Sequence, residues 1–215
     1  MTTRRDVLVG IGAGLAIAPL PLIAGPVGAQ GARPPIRLHA LIVGINAYGG
    51  RSRRENGGTG RSELVPIKSL RGCLNDARAI ETAVRPIAAS VRLLTETQAT
   101  RAAFLAAWRE AVAGANSGDT ILLTFSGHGG LESERRAADK PTGHNPALLF
   151  HGFDVTQTPN QADRVVSYEI KDMVQAARDK GVRVVFVADC CHAGTLTRSL
   201  DAAVVDMVTY RTIGN

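Results

Sequence analysis

Two short motifs in this sequence carry side chains that could do nucleophilic chemistry. Ser-Gly-His-Gly-Gly centres on His128, and Asp-Cys-Cys-His-Ala-Gly contains the adjacent thiols of Cys190 and Cys191. A cysteine attacks as its thiolate, and an imidazole can take the thiol proton and later return it to a leaving group. The motifs therefore indicate covalent catalysis, although residue types alone leave the choice between Cys190 and Cys191 nearly even.

Glycines accompany both motifs. Gly127 and Gly129 leave space beside His128 for a substrate backbone. Backbone N–H groups at Gly129 and in the turn from Cys191 to Gly194 could form an oxyanion hole, in which each donor typically contributes about 2.7–4 kcal/mol of barrier lowering.

Two other uses of the cysteines are less well supported. Cys190, Cys191 and His192 are consecutive, which fits the tetrahedral geometry of zinc poorly, and no CxxC spacing occurs, so the sequence predicts no metal site. A redox function of Cys190 and Cys191 would need a strained disulfide between neighbours. That function is kept as the weaker alternative.

The elements that must position these residues are visible as apolar runs. The sequence predicts strands over 38–45, 91–95, 119–125 and 183–188, and helices over 75–84, 101–115 and 167–180. The expected helix caps are Asn75-Asp76, Thr100 and Ser167, in that order. Residues 47–66 are predicted to form a long loop, and residues 131–146 a loop or small hairpin. The alternation predicts an α/β fold with a mostly parallel sheet and helices on both faces, and both motifs lie at its carboxyl edge.

Composition restricts the partners. The 215 residues suffice for one ordinary domain, and 45% of them are hydrophobic. A net charge of +6 could attract nucleic acid, but only 4% of residues are aromatic and no nucleic-acid-binding motif is present. The sequence therefore predicts no nucleic-acid partner, and the arginines between positions 51 and 61 are assigned to a solvated loop.

The first 29 residues are typical of an export signal. Arg4 and Arg5 precede an apolar run, and Val27-Gly28-Ala29 offers small residues at a cleavage site. We predict a Tat-type signal over 1–29, a linker over 30–36 and one domain over 37–215. The expected location is periplasmic or secreted, with no stable membrane span after cleavage; a retained anchor is the alternative.

Four segments in order resemble the caspase-like cysteine peptidases of the metacaspase type, family C14 of clan CD. Besides the two motifs above they are residues 40–46 (ALIVGIN) and 70–77 (LRGCLNDA). The resemblance covers Leu38 to about Thr195 and implies a caspase-like three-layer sandwich. The family motif Asp-Ser-Cys-His-Ser-Gly aligns Cys190 with a serine, which implies Cys191 as nucleophile and His128 as its base.

The resemblance also implies a substrate class. Metacaspases cleave after Arg or Lys, and the positions matching their acidic pocket are Asp76, Ser126 and Asp189. Carboxylates hold a guanidinium or ammonium through charge-assisted hydrogen bonds, so the implied substrates are proteins or peptides with basic residues. From the residues alone, Asp76 could instead cap a helix and Asp189 could be a strand-end turn residue.

Calcium is a point of departure from the family. Many metacaspases require it, and Asp154 stands in a comparable place, but Ser167 and Tyr168 replace the acidic pair that follows and Arg198 stands where an acidic residue is common. Oxygen ligands are too few. We therefore predict no cofactor, with calcium as the alternative left open.

The carboxyl-terminal part is a second departure. The family fold continues past the cysteine with two further strands, whereas here 24 residues follow Cys191. We expect a domain that lacks the small-subunit strands: either the chain is a fragment of a longer protein, or a second copy or a partner completes the sheet. The alternative function is a non-catalytic caspase-fold module that binds peptides or partners, or an inactive fragment.

Overall fold

A computed structural model describes residues 35–55, 61–133, 144–158, 162–190 and 206–207. Its main sheet consists of five parallel strands in the order β4-β1-β5-β9-β10. The strands are β1 (Leu38–Gly44), β4 (Ser90–Thr95), β5 (Thr120–Ser126), β9 (Arg183–Asp189) and β10 (Asp206–Met207). The predicted signal and Cys191 lie outside the described residues.

The order of the strands creates a switch point at the carboxyl edge of the sheet. From β1 the chain moves to β4 on one side, and from there it crosses to β5 on the other side of β1. Ligands in open parallel sheets bind at such a point, outside the carboxyl ends of the strands. Here the edge contains Gly44 beside Ser126, and Ser126 beside Asp189.

Helices cover both faces of the sheet, as predicted. Because successive side chains of a strand point to opposite faces, β1 contributes to two cores. Ala40 and Ile42 pack against α1 (Cys73–Val84), whereas Leu41 and Val43 belong to the larger core with α2 (Arg101–Gly114) and α3 (Ser167–Asp179). The three-layer α/β arrangement of the prediction is confirmed.

The helix starts follow the sequence only in part. Thr100 caps α2 as predicted, since its side chain accepts a hydrogen bond from the Ala103 N–H. The cap predicted at Asn75 and Asp76 is wrong, because α1 begins at Cys73 and both residues lie in its first turn. Gly72 precedes α1 at a φ of 111°, which a residue with a side chain rarely adopts.

Ser167 is not a cap either. It is the first residue of α3, and the Val166 N–H just before it donates to the Glu169 carboxylate at 3.0 Å. An acidic side chain from the first turn thus satisfies the backbone donor at this end, and its negative charge there is favourable.

The loop predicted over 47–66 is in fact a hairpin of β2 (Arg51–Glu55) and β3 (Ser62–Pro66). Arginines and glycines obscured the alternation in the sequence, but opposite charges across the two strands favour pairing, as with Arg54 opposite Glu63.

A second small sheet contains β6 (Gly129–Ser133), β7 (His144–Leu149) and β8 (Arg164–Val166), all antiparallel. The hairpin alternative for 131–146 is thereby confirmed, whereas β8 was not predicted. In the described part of the chain no helix is long and apolar enough to cross a membrane.

Candidate active site

Backbone hydrogen bonds hold His128 between the main sheet and the small sheet of β6, β7 and β8. It follows β5 by two residues and directly precedes β6. Its N–H donates to the Tyr48 hydroxyl at 2.6 Å, and its carbonyl accepts from the Leu149 N–H at 3.0 Å. Both hydrogen bonds reach residues distant in sequence, so the position of His128 depends on the assembled fold.

The imidazole of His128 is oriented by a backbone carbonyl. Its Nε2 lies 2.7 Å from the carbonyl oxygen of Lys68, an atom that can only accept. The neutral ring must therefore carry its proton on Nε2, which leaves Nδ1 as the basic nitrogen. The segment with Lys68 is itself fixed, because the Ile67 N–H donates to Gly50 and the Leu70 N–H to the Asn46 carbonyl.

The two motifs leave adjacent strands at one edge. Ser126 at the end of β5 is paired with Asp189 at the end of β9, and the Gly127 N–H donates to the Asp189 carbonyl at 3.2 Å. The chain thus enters the cysteine motif next to the point where it enters the histidine motif. Cys190 is buried and packs in the larger core. Cys191 itself and Gly194 lie outside the described residues.

The predicted pocket residues belong to three neighbouring elements. Ser126 and Asp189 pair at the ends of β5 and β9, and Asp76 lies in the first turn of α1, which begins at Cys73. Burial raises the pKa of the Cys73 thiol, the Ser126 hydroxyl lowers it, and the negative charges of Asp189 and Asp76 raise it further. Asp76 and Asp189 are exposed, whereas Ser126 is buried.

The Ser126 hydroxyl is buried at this edge, and among the described residues its Oγ has no hydrogen-bond partner of normal geometry. The Cys73 thiol is close enough for its pKa to be affected, but a thiol is a weak donor and acceptor. An unsatisfied buried hydroxyl costs about 1–3 kcal/mol, so a polar group from a ligand would bind here favourably.

Gly44 and Asn46 place Cys73 and the start of α1 against this edge. A Cβ atom on Gly44 would lie 2.6 Å from the Cys73 carbonyl oxygen, so only glycine allows the approach. The Asn46 side chain accepts from the Cys73 N–H at 3.0 Å. Neither role was predicted from the sequence, in which an apolar strand that ends in Gly-x-Asn is the available signal.

Gly129, the predicted oxyanion donor, is the first residue of β6 and lies opposite Leu148. Beyond it a cavity of about 470 Å³ opens, which Gly129 and Gly130 line together with Ala147, Leu149 and Phe153. The lining of the cavity therefore begins at the residue after His128, whereas Ser126 lies two residues before it.

Tyr48 is a contact of His128 that the sequence did not reveal, because residue 48 lies in the segment predicted as a loop. Its ring centroid is 4.9 Å from that of the imidazole, with the planes at 58°. The tyrosine thus touches His128 through both its ring and its hydroxyl.

Both carboxylate oxygens of Asp154, the residue considered for calcium, accept hydrogen bonds from the protein itself. One oxygen of Asp154 accepts from Arg51 Nε at 2.9 Å, and the other accepts from the Thr156 N–H and hydroxyl. The pKa of this carboxyl is lowered to about 2, mainly by the hydrogen bonds from Thr156 and further by the one from Arg51. The described residues contain no group of three or more His, Cys, Asp or Glu side chains that could hold a metal ion.

Comparisons with known proteins agree on one family. The family model described as "Metacaspase, peptidase C14 domain" matches residues 38–200. The chain is 29% identical to metacaspase-1 of Mycosarcoma maydis over 82% of its own length and 39% of that protein. It is also 29% identical to metacaspase-1 of Saccharomyces cerevisiae, over 74% of this chain and 34% of that protein.

A crystal structure of a Geobacter sulfurreducens protein has a similar fold. Its TM-score is 0.52 at 25% sequence identity, and the match covers 75% of this chain and 53% of that one. The chain spans only about a third to two fifths of the length of the curated relatives named above.

Proposed function

Since the chain belongs to the metacaspase family of C14 peptidases, we propose that it is a cysteine endopeptidase with His128 and Cys191 as its catalytic dyad. The observation that carries the proposal is the Nε2–Lys68 hydrogen bond of 2.7 Å, which leaves Nδ1 as the base. That base lies at the carboxyl end of β5, and the strand next to it, β9, leads into the cysteine motif.

The reaction uses the dyad twice. Nδ1 of His128 takes the proton from the Cys191 thiol, and the thiolate attacks the carbonyl carbon of the scissile peptide bond. The developing negative oxygen is stabilised by backbone N–H groups, with Gly129 as the assigned donor. His128 then protonates the leaving amine as the C–N bond breaks. Water, deprotonated by the same imidazole, hydrolyses the thioester and releases the acid and the free thiol.

The substrate residue before the scissile bond is proposed to be Arg or Lys. The charges of Asp76 and Asp189 act on the same point, and the unsatisfied Ser126 hydroxyl lies beside it. A guanidinium or ammonium would satisfy this hydroxyl and form charge-assisted hydrogen bonds to the carboxylates. The same negative charges disfavour an acidic side chain.

The remaining assignments also belong to this proposal. The engaged oxygens of Asp154 support catalysis without a divalent cation. The paired arginines and small residues before position 30 support export to the periplasm or medium. Completion of the sheet by a second copy or a partner stays a prediction.

The test is cleavage of fluorogenic peptides ending in Arg, Lys or Asp by the pure 215-residue chain. We expect cleavage after Arg and Lys but not after Asp. Cys191→Ala and His128→Ala should abolish it, while Cys190→Ala, which shortens a packing residue, should retain it. If a folded protein cleaves none of these peptides, or if Cys191→Ala leaves cleavage unchanged, the proposal is wrong. A folded but inactive chain would favour the non-catalytic binding module.

A further inference from the structure

Tyr48 makes an unusual set of contacts at the candidate site. Its hydroxyl accepts a hydrogen bond from the His128 N–H at 2.6 Å and donates one to the Leu149 carbonyl at 3.3 Å. Its ring packs against the imidazole at 4.9 Å. One side chain from the segment after β1 therefore bridges the histidine motif and β7.

The neighbouring glycine makes room for this arrangement. A Cβ atom on Gly127 would lie 2.7 Å from the Tyr48 hydroxyl oxygen, which is closer than such atoms approach. The Gly127 position thus permits the hydroxyl to reach the backbone of His128. Gly127 is predicted to leave space for a substrate, and it also leaves space for the Tyr48 hydroxyl.

Tyr48 is suited to hold a fixed position. Its ring packs against both the larger core and the small cluster of Ala147, Leu149 and Val166. Burial raises the pKa of its phenol far above the usual value, so the hydroxyl keeps its proton and can donate and accept at once. A tyrosine has only two side-chain torsions to fix, so it forms a stiff support at small entropic cost.

We propose that Tyr48 is a positioning residue for the base His128, which acts by fixing the backbone and the ring of that residue through its hydroxyl and its aromatic face. The inference rests on the proposed endopeptidase function. The Lys68 carbonyl sets which nitrogen carries the proton, and Tyr48 sets where the ring stands. Misplacement of a catalytic group by about 1 Å can cost on the order of 100-fold in rate, so a support of this kind has a measurable effect.

The experiment compares three variants with the full 215-residue chain. Tyr48→Phe removes only the oxygen atom. Gly127→Ala keeps the phenol and places a methyl group against it, which tests the same contact should Tyr48→Phe fold poorly. Thr100→Ala removes the cap of α2 on a residue that follows β4, two strands away from β5 in the sheet, and whose side chain bonds to the Ala103 N–H rather than to His128; it provides a matched loss of stability.

Two readouts separate positioning from mere stability. With an Arg-ending peptide, Tyr48→Phe and Gly127→Ala should lower kcat by roughly ten-fold or more while KM changes little. The rate of Cys191 alkylation by iodoacetamide, measured at that cysteine by mass spectrometry across pH, should fall near neutral pH toward that of His128→Ala. Thr100→Ala should lower Tm and leave both readouts unchanged.

The contrary result is equally clear. If Tyr48→Phe and Gly127→Ala match Thr100→Ala in both readouts, Tyr48 is only a packing residue. The alkylation profile decides the matter even if the wild-type chain cleaves no peptide, because it needs no substrate. A Cys191 reactivity that depends on His128 and on Tyr48 supports the inference, and one that is independent of Tyr48 overturns it.

Discussion

At the scale of single residues, the surroundings of Cys73 are the most informative. Its buried thiol is affected by Asp189, Asp76 and Ser126, which come from three different elements. Both carboxylates belong to exposed residues, so a ligand can reach them. The proposed role of this position, to bind a basic side chain of the substrate, can be tested by removing one charge at a time.

We predict that Asp76→Asn lowers kcat/KM for an Arg-ending peptide by roughly ten-fold or more, because a charge-assisted hydrogen bond is lost. The change preserves the shape of the side chain. Asp172→Asn, on the exposed face of α3, serves as the control for the loss of one negative charge. Equal kcat/KM in wild type and Asp76→Asn would show that Asp76 only occupies the first turn of α1.

At the scale of elements, the strands are tied together at the end opposite the site. Asp119, just before β5, accepts hydrogen bonds from the backbone N–H groups of Asn116 at 2.8 Å and Arg37 at 2.9 Å. Its carboxylate also lies 3.6 Å from His39 Nε2 on β1. The hydrogen bonds from Asn116 and Arg37 are the main causes of a lowered pKa for this carboxyl.

The lowered pKa predicts a pH dependence of stability. Because the folded-state pKa of Asp119 is below its unfolded value, its contribution is complete above the ordinary Asp range. That contribution is lost as pH falls through the folded-state value. The free energy of unfolding, measured with urea, should fall less between pH 7 and about pH 3 for Asp119→Asn than for the wild type. Equal losses in the two proteins would contradict this assignment.

At the scale of the whole molecule, the β2–β3 hairpin is fastened to the segment after β7. Arg51 pairs with Asp154, the Val155 N–H donates to the Arg51 carbonyl at 2.9 Å, and the Gly49 N–H donates to His151 at 2.9 Å. A Cβ atom on Gly50 would lie 1.9 Å from the Phe153 carbonyl oxygen. An ion pair and backbone hydrogen bonds of the protein thus join the two segments.

We therefore expect activity and Tm of the wild type to be the same in excess calcium and in chelator. Arg51→Ala should lower Tm slightly, because one connection between hairpin and segment is lost while the backbone hydrogen bonds remain. Arg53→Ala is the control, because the Arg53 side chain donates a hydrogen bond to Ser62 within the hairpin. A calcium-dependent rise in wild-type Tm or rate would show that this ion pair does not replace a metal.

Much of the fold was predictable because its signals are local. Apolar runs gave β1, β4, β5 and β9 within one or two residues, and the cap at Thr100 placed α2. The β2–β3 hairpin and β8 were not predicted, since a short strand without an apolar run is stabilised by its partner strand rather than by its own composition. The start of α1 was misjudged because packing against Gly44, not a side-chain cap, determines it.

The sequence by itself determined the family, the two motifs and the edge of the sheet to which they belong, because strand ends and motif order are read along the chain. Only the tertiary structure decided that the Lys68 carbonyl fixes the tautomer of His128 and that Tyr48 supports it. It also decided that the start of α1, with Cys73, packs against Gly44 beside the end of β5. These contacts join residues far apart in the chain, and no local pattern encodes such a distance. They form only when the strands and helices pack.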